Sequence, residues 1–125
     1  MGELIYQDEC YEIMGILFGV YKKLGYGLRE KDYQKAIAED FKLNDYQFEE
    51  QVLAFLKVNN KNIRRYYLDF LIDKKIVLEI KAKDKFYPDN IAQVYSYLKA
   101  KELKLGIIAN FTRKGVVFKR IVNIK

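Results

Sequence analysis

Glu79 and Lys81 stand two apart at the end of an apolar run, Ile76-Val77-Leu78-Glu79-Ile80, that reads as a strand. Alternate residues of a strand face the same way, so the carboxylate and the amine share one side while Ile80 takes the other. Asp73-Lys74-Lys75 reads as a tight connection from a preceding strand, and a hairpin centred on Lys74 sets Asp69 opposite Glu79. Directly opposed residues of such a pair have Cβ atoms about 4.5–5.5 Å apart. Two carboxylates that close inside an apolar sheet repel, and they must either take up a proton or share a cation. Mg2+ or Mn2+ accepts carboxylate oxygens, keeps several waters, and can activate one of them while stabilising charge on a phosphoryl group. Lys81 would orient the attacking water or neutralise the developing phosphorane. The same residues also suit an ordinary ion-pair cluster near a sheet edge, balanced by Lys74, Lys75 and Lys81.

Other mechanisms are closed off by composition. The chain has no histidine, which removes Ser-His-Asp and Cys-His systems and histidine-rich zinc sites. Cys10 is the only cysteine, so neither a disulfide framework nor a multi-cysteine metal site can form, and a reducing compartment is expected. Catalysis is left to carboxylates, lysine, tyrosine or a bound cation.

The elements that would position these groups follow from periodicity. Apolar residues at Ile13, Leu17, Val20, Tyr21 and Leu24 predict a first helix over about residues 6–23, broken by Gly25-Tyr26-Gly27. A second, over about residues 29–42, carries Tyr33, Ile37 and Phe41 on one stripe. Glu30 falls on that stripe as well. It either turns inward toward the acidic site or sits in the first helical turn, where the helix dipole favours acids. Residues 47–58 and 63–72 read as strands around an Asn59-Asn60-Lys61-Asn62 turn, and the central strand follows. Pro88-Asp89-Asn90 starts a third helix with Ile91, Val94, Tyr95 and Leu98 as its apolar stripe. Gln93 and Tyr97 would form a polar strip beside it, able to reach a substrate backbone or brace Lys81. Residues 103–111 and 115–121 make a closing hairpin. The order αα-βββ-α-ββ requires a crossover, so the expected architecture is a mixed sheet flanked by helices in one domain spanning residues 1–125.

The net charge is +6, and Lys99, Lys101, Lys104, Arg113, Lys114, Lys119, Arg120 and Lys125 gather toward the C-terminus. Such a surface would attract polyanions. The start of the chain is acidic and no apolar run approaches a membrane span, so the expected location is the cytoplasm.

Several motifs together make the chain recognisable. Gly27-Leu28-Arg29-Glu30-Lys31-Asp32-Tyr33 resembles the G-x-x-E-x-x-Y signature of the GxxExxY proteins, a group within the PD-(D/E)xK nucleases. The resemblance continues through Tyr67 to Ile72, Val77 to Ala82, Gln93 to Tyr97 and Gly106 to Phe111, and so covers nearly the whole chain. It implies an α/β, restriction-endonuclease-like fold with an αβββαβ core and an added C-terminal strand. It further implies Glu30, Asp69 and Glu79 as acidic site residues and Lys81 as the catalytic lysine. Gln93 and Tyr97 resemble the Q-x-x-x-Y motif of the RecB-like and Cas4-like branch, as substrate-binding residues. Leu68 stands where the superfamily's name has proline, a change that removes no ligand. The implied activity is phosphodiester hydrolysis, of DNA rather than RNA, with Asp69, Glu79, the Ile80 carbonyl and Glu30 around Mg2+ or Mn2+. The rival reading is a non-catalytic nucleic-acid-binding or protein-interaction module on the same fold. A chain this short has little room for a recognition insertion, so a homodimer or a partner would supply specificity.

Overall fold

Cys10, Ile13, Met14, Leu17 and Val20 recur at three- and four-residue spacing and form the buried stripe of α1 (Gln7–Leu24). Gly25, at a φ of 75°, ends the helix in a conformation that costs glycine little. In α2 (Glu30–Leu43) the buried residues include Tyr33, Ile37 and Phe41, the stripe expected from spacing. The structure, a computed structural model, describes residues 4–124; the first three residues and Lys125 lie outside the described residues.

Five strands follow: β1 (Phe48–Val58), β2 (Lys61–Ile72), β3 (Ile76–Lys81), β4 (Leu105–Thr112) and β5 (Gly115–Val122). They lie side by side in sequence order. β3 and β4 are parallel and joined through α3 (Pro88–Lys101), while the other neighbours are antiparallel. The expected element order and mixed sheet are therefore present. α1 and α2 cover one face, packed on Phe70, Leu78, Ile80, Ile107 and Phe111. α3 covers the other, packed on Leu71, Val77 and Ile108. β3 is buried on both sides, which is why its sequence lacks alternation. Gly106 has no Cβ where Val94 of α3 presses on β4, so the helix lies close to the sheet.

Three local readings need correction. The first hairpin turns on Asn59 and Asn60 alone, both with positive φ (52° and 65°), and β2 already begins at Lys61. On α3 the core positions are Val94, Tyr97 and Leu98; Tyr97 is buried rather than part of a polar strip, and Tyr95 is exposed. The i, i+3, i+4 set that faces the sheet is thus rotated from the one its apolar residues suggested. The C-terminal cations do not form one surface. β4 runs parallel to β3, so Arg113 and Lys114 follow its end, the end of the sheet where β3 finishes at Lys81, whereas Lys99, Lys101 and Lys104 precede its start at the opposite end.

Candidate active site

The sheet changes character at Asp69. Pairing of β1 with β2 joins Glu50 to Phe70 and Val52 to Leu68 but omits Gln51 and Asp69, and Gln51 has a φ of 52°. Across this irregularity the faces exchange. Phe70 and Ile72 pack under α1 and α2, while Leu68, only two residues before Phe70, packs with α3. On its other side β2 pairs with β3 from Ile72 only as far as Phe70, opposite Leu78. Asp69 and Glu79 would be the next pair.

Instead, the two carboxyl groups take over the ladder. The Asp69 backbone N–H donates to Glu79 Oε1 at 2.6 Å, and the Ile80 backbone N–H donates to Asp69 Oδ2 at 2.7 Å. The expected approach of the two acids is present, but through each other's strand rather than as simply opposed side chains. Lys81 Nζ lies 4.0 Å from Glu79 Oε2, on the strand face foreseen from their spacing. Glu30 borders the same region: its Oε2 accepts the Ala82 backbone N–H at 3.2 Å, just past the end of β3.

Asp69 and Glu79 are only 8% and 5% exposed. Burial first, then the neighbouring Asp69 charge, pushes the Glu79 carboxyl up to about 8. Burial likewise raises Asp69, against the opposing effects of the Ile80 N–H and Lys81. Of the lysines that could balance the pair, Lys81 lies beside it, whereas Lys75 bonds to Glu9 at 3.0 Å, at the far end of the sheet.

Two residues that spacing did not single out complete the arrangement. Gln34 Nε2 donates to Asp69 Oδ1 at 3.0 Å, so both oxygens of Asp69 have donors. Gln34 lies one turn after Glu30, and that i, i+4 relation was the available signal. Tyr66 donates to the Gln93 carbonyl at 2.8 Å and is close enough to Glu79 for its charge to raise the phenol, after burial. Gln93 thus adjoins the site through its backbone. Among the described residues, no hydrogen bond joins the Gln93 or Tyr97 side chain to the carboxylates.

The donor set suits a divalent cation. Two buried carboxyl groups whose burial and mutual repulsion oppose ionisation are what such an ion relieves, and the Ile80 carbonyl lies in the same strand. Among the described residues no three His, Cys, Asp or Glu side chains converge tightly enough to enclose an ion, so water would supply much of its coordination. A concavity of about 240 Å³, lined partly by Glu9, Asn44 and Asp73, lies near the β2–β3 turn, away from these residues.

Comparison with one solved structure agrees with this architecture. A crystal structure of SSO0001 superposes with a TM-score of 0.54 at 23% identity, over 76% of this chain and 50% of that one. An alkaline exonuclease (LHK-Exo) from Laribacter hongkongensis gives a TM-score of 0.49 at 13% identity, over 70% of this chain and 52% of that one. The chain therefore spans about half the length of each. No curated protein sequence gives a significant match. No described helix is long and apolar enough to cross a membrane. The family model of the PD-(D/E)XK nucleases matches residues 7–121, and the chain belongs to the PD-(D/E)XK nuclease superfamily.

Proposed function

We propose that residues 1–125 act as one catalytic domain that hydrolyses phosphodiester bonds of nucleic acid, DNA rather than RNA, with Mg2+ or Mn2+ as cofactor. The observation that carries this reading is the interlocked pair of Asp69 and Glu79 with the Lys81 amine beside it. Asp69, Glu79 and the Ile80 carbonyl would hold the cation, and Glu30 would add an outer or second-ion ligand. When bound, the ion acidifies a water and offsets charge on the phosphoryl group.

Hydrolysis adds a water oxygen to phosphorus and breaks the opposite P–O bond, leaving a phosphate monoester and a hydroxyl. Lys81 is assigned to orienting that water and balancing charge on the phosphorane oxygens. The strand fixes its base next to Glu79, while its side chain retains some exposure. Gln34 and the Ile80 N–H hold the Asp69 carboxyl in one orientation, which spares reorganisation during the reaction. Gln93, half-buried at the edge of α3, is assigned to the substrate side, and Tyr97 to packing.

Placement in the GxxExxY group is supported by a physical task for each signature residue. Gly27 has a φ of 103°, which an L side chain rarely adopts. Glu30 caps the end of β3 through Ala82. The Tyr33 hydroxyl donates to the Gly25 carbonyl at 2.7 Å and accepts the Leu28 N–H at 3.3 Å, while its ring stacks on Phe111. These contacts fix the loop that sets where α2, with Glu30 and Gln34, meets the sheet. A Mn2+-dependent cleavage assay with single-stranded, duplex and branched DNA, using Asp69→Asn as control, tests the reading. Cleavage by wild type alone supports it; wild-type inactivity on all three would favour a non-catalytic module.

A further inference from the structure

The β1–β2 hairpin runs past the end of β3. β3 pairs with β2 only at Phe70, Leu71 and Ile72, so residues 61–68 have β1 on one side and no strand on the other. Residues 52–67 of this arm contain Lys57, Lys61, Arg64 and Arg65 and no aspartate or glutamate. One face is covered, with Val52, Ala54 and Tyr66 in the core beneath α3. The other is open. There Leu53 lies opposite Tyr67 and Phe55 opposite Arg65, with Leu53, Phe55 and Tyr67 exposed by 42%, 38% and 51%.

An open face that is apolar and carries Lys57 and Arg65 as its charges narrows its occupant. A second copy would set Lys57 and Arg65 against the same two charges, which like-charge repulsion disfavours. A DNA duplex satisfies the charge but keeps its base faces stacked inside, leaving the rings unused. A single strand offers phosphates and exposed base faces together. Position agrees with this, since Tyr67 precedes Asp69 by two residues, an advance of about 7 Å along a strand.

We propose that the arm is a track for single-stranded nucleic acid leading to the acidic site, with bases stacking on Tyr67 and Phe55 and phosphates meeting Arg65 and Lys57, which alternation puts on the same face. The destination rests on the nuclease reading; the binding does not. The test is fluorescence anisotropy in EDTA, where cleavage is suppressed, with labelled oligodeoxyuridine and oligouridine about 20 nucleotides long and a matching DNA duplex. At least one single strand should bind at least about tenfold more tightly than the duplex, and the tighter one identifies the sugar. Tyr67→Ala should weaken that strand by roughly 5-fold or more, as expected for loss of one stacking platform. Duplex affinity and salt slope should stay unchanged, and Tyr67→Phe should restore binding. Arg65→Ala should instead weaken both probes and reduce the salt slope by about one.

Equal affinity for strand and duplex, or no response to Tyr67→Ala in a protein with wild-type circular dichroism, would overturn the proposal. So would sedimentation showing a dimer that Tyr67→Ala dissociates, because the arm would then bind a second copy. Cleavage is scored separately with Mn2+. Strand preference that persists in Lys81→Ala supports the track whether or not that protein cuts, whereas wild-type inactivity contradicts only the catalytic reading.

Discussion

The two halves of β2 share a backbone conformation and little else. From Leu68 to Ile72 every residue is buried beneath helices on both faces, and Phe70 to Ile72 are paired with β1 and β3. From Lys61 to Tyr67 all but Tyr66 are exposed, and the only neighbouring strand is β1. In the buried half a charge is tolerated once, at Asp69, where Gln34 and the Ile80 N–H satisfy it. In the open half the charges are solvated and all positive. The boundary between these regimes lies at Asp69, so the strand brings a hydrated cationic surface directly against a desolvated acidic pair.

The sharpest contrast between the halves is in stability. Phe70→Ala should cost about 3–5 kcal/mol, because a fully buried ring at the junction with Phe41 and Phe48 leaves a cavity. Tyr67→Ala should stay within about 0.5 kcal/mol. Urea unfolding of both proteins checks the difference, and equal losses would break the division.

The acidic pair should make the buried half pH-sensitive. Glu79 is raised from 4.5 to about 8, so between these values the folded chain holds a proton that the unfolded chain has released. Its effect on stability is absent below about 4.5, grows more unfavourable as pH rises to about 8, and then levels off. Asp69 shifts in the same direction. In EDTA the melting temperature should therefore fall by roughly 5 °C or more between mildly acidic and mildly alkaline buffer. Glu79→Gln keeps an acceptor for the Asp69 N–H and should flatten the profile; an equally steep profile in that variant would assign the titration elsewhere.

A smaller effect is expected at Gln34, which touches Asp69 without being placed to touch substrate. Gln34→Ala should lower Mn2+-dependent cleavage by about tenfold through kcat, with KM little changed, and destabilise by about 1 kcal/mol. A KM effect alone would make Gln34 a substrate contact. Smallest should be the effect of Lys57→Ala on folding, within about 0.5 kcal/mol, although the salt slope for polynucleotide should fall by about one. A slope that does not change would remove Lys57 from the phosphate contacts.

Much of this was legible in the sequence because it depended on local periodicity. The stripe Tyr33, Ile37, Phe41 placed α2, and the tight Asp73-Lys74 turn fixed the register that brings Asp69 to Glu79. What escaped depended on tertiary placement. Gln51 adopts a left-handed conformation with no glycine or asparagine to announce it, so the exchange of faces beside Asp69 was hidden. Tyr97 carries a polar tip, but its body is needed between Val94 and Leu98 where α3 meets the sheet. The C-terminal cations are close in sequence yet divided by the length of β4, while four cations of the arm, scattered over residues 57–65, share one hairpin.

The most direct test of the central claim is Mn2+ binding by calorimetry and cleavage of a DNA substrate, measured together on wild type, Glu79→Ala and Lys81→Ala. Glu79→Ala should lose both metal affinity and activity, whereas Lys81→Ala should bind Mn2+ nearly as wild type yet cleave at least about 100-fold more slowly. If Lys81→Ala instead melts earlier but cleaves at the wild-type rate per folded molecule, Lys81 is a structural counter-ion and the catalytic assignment is wrong.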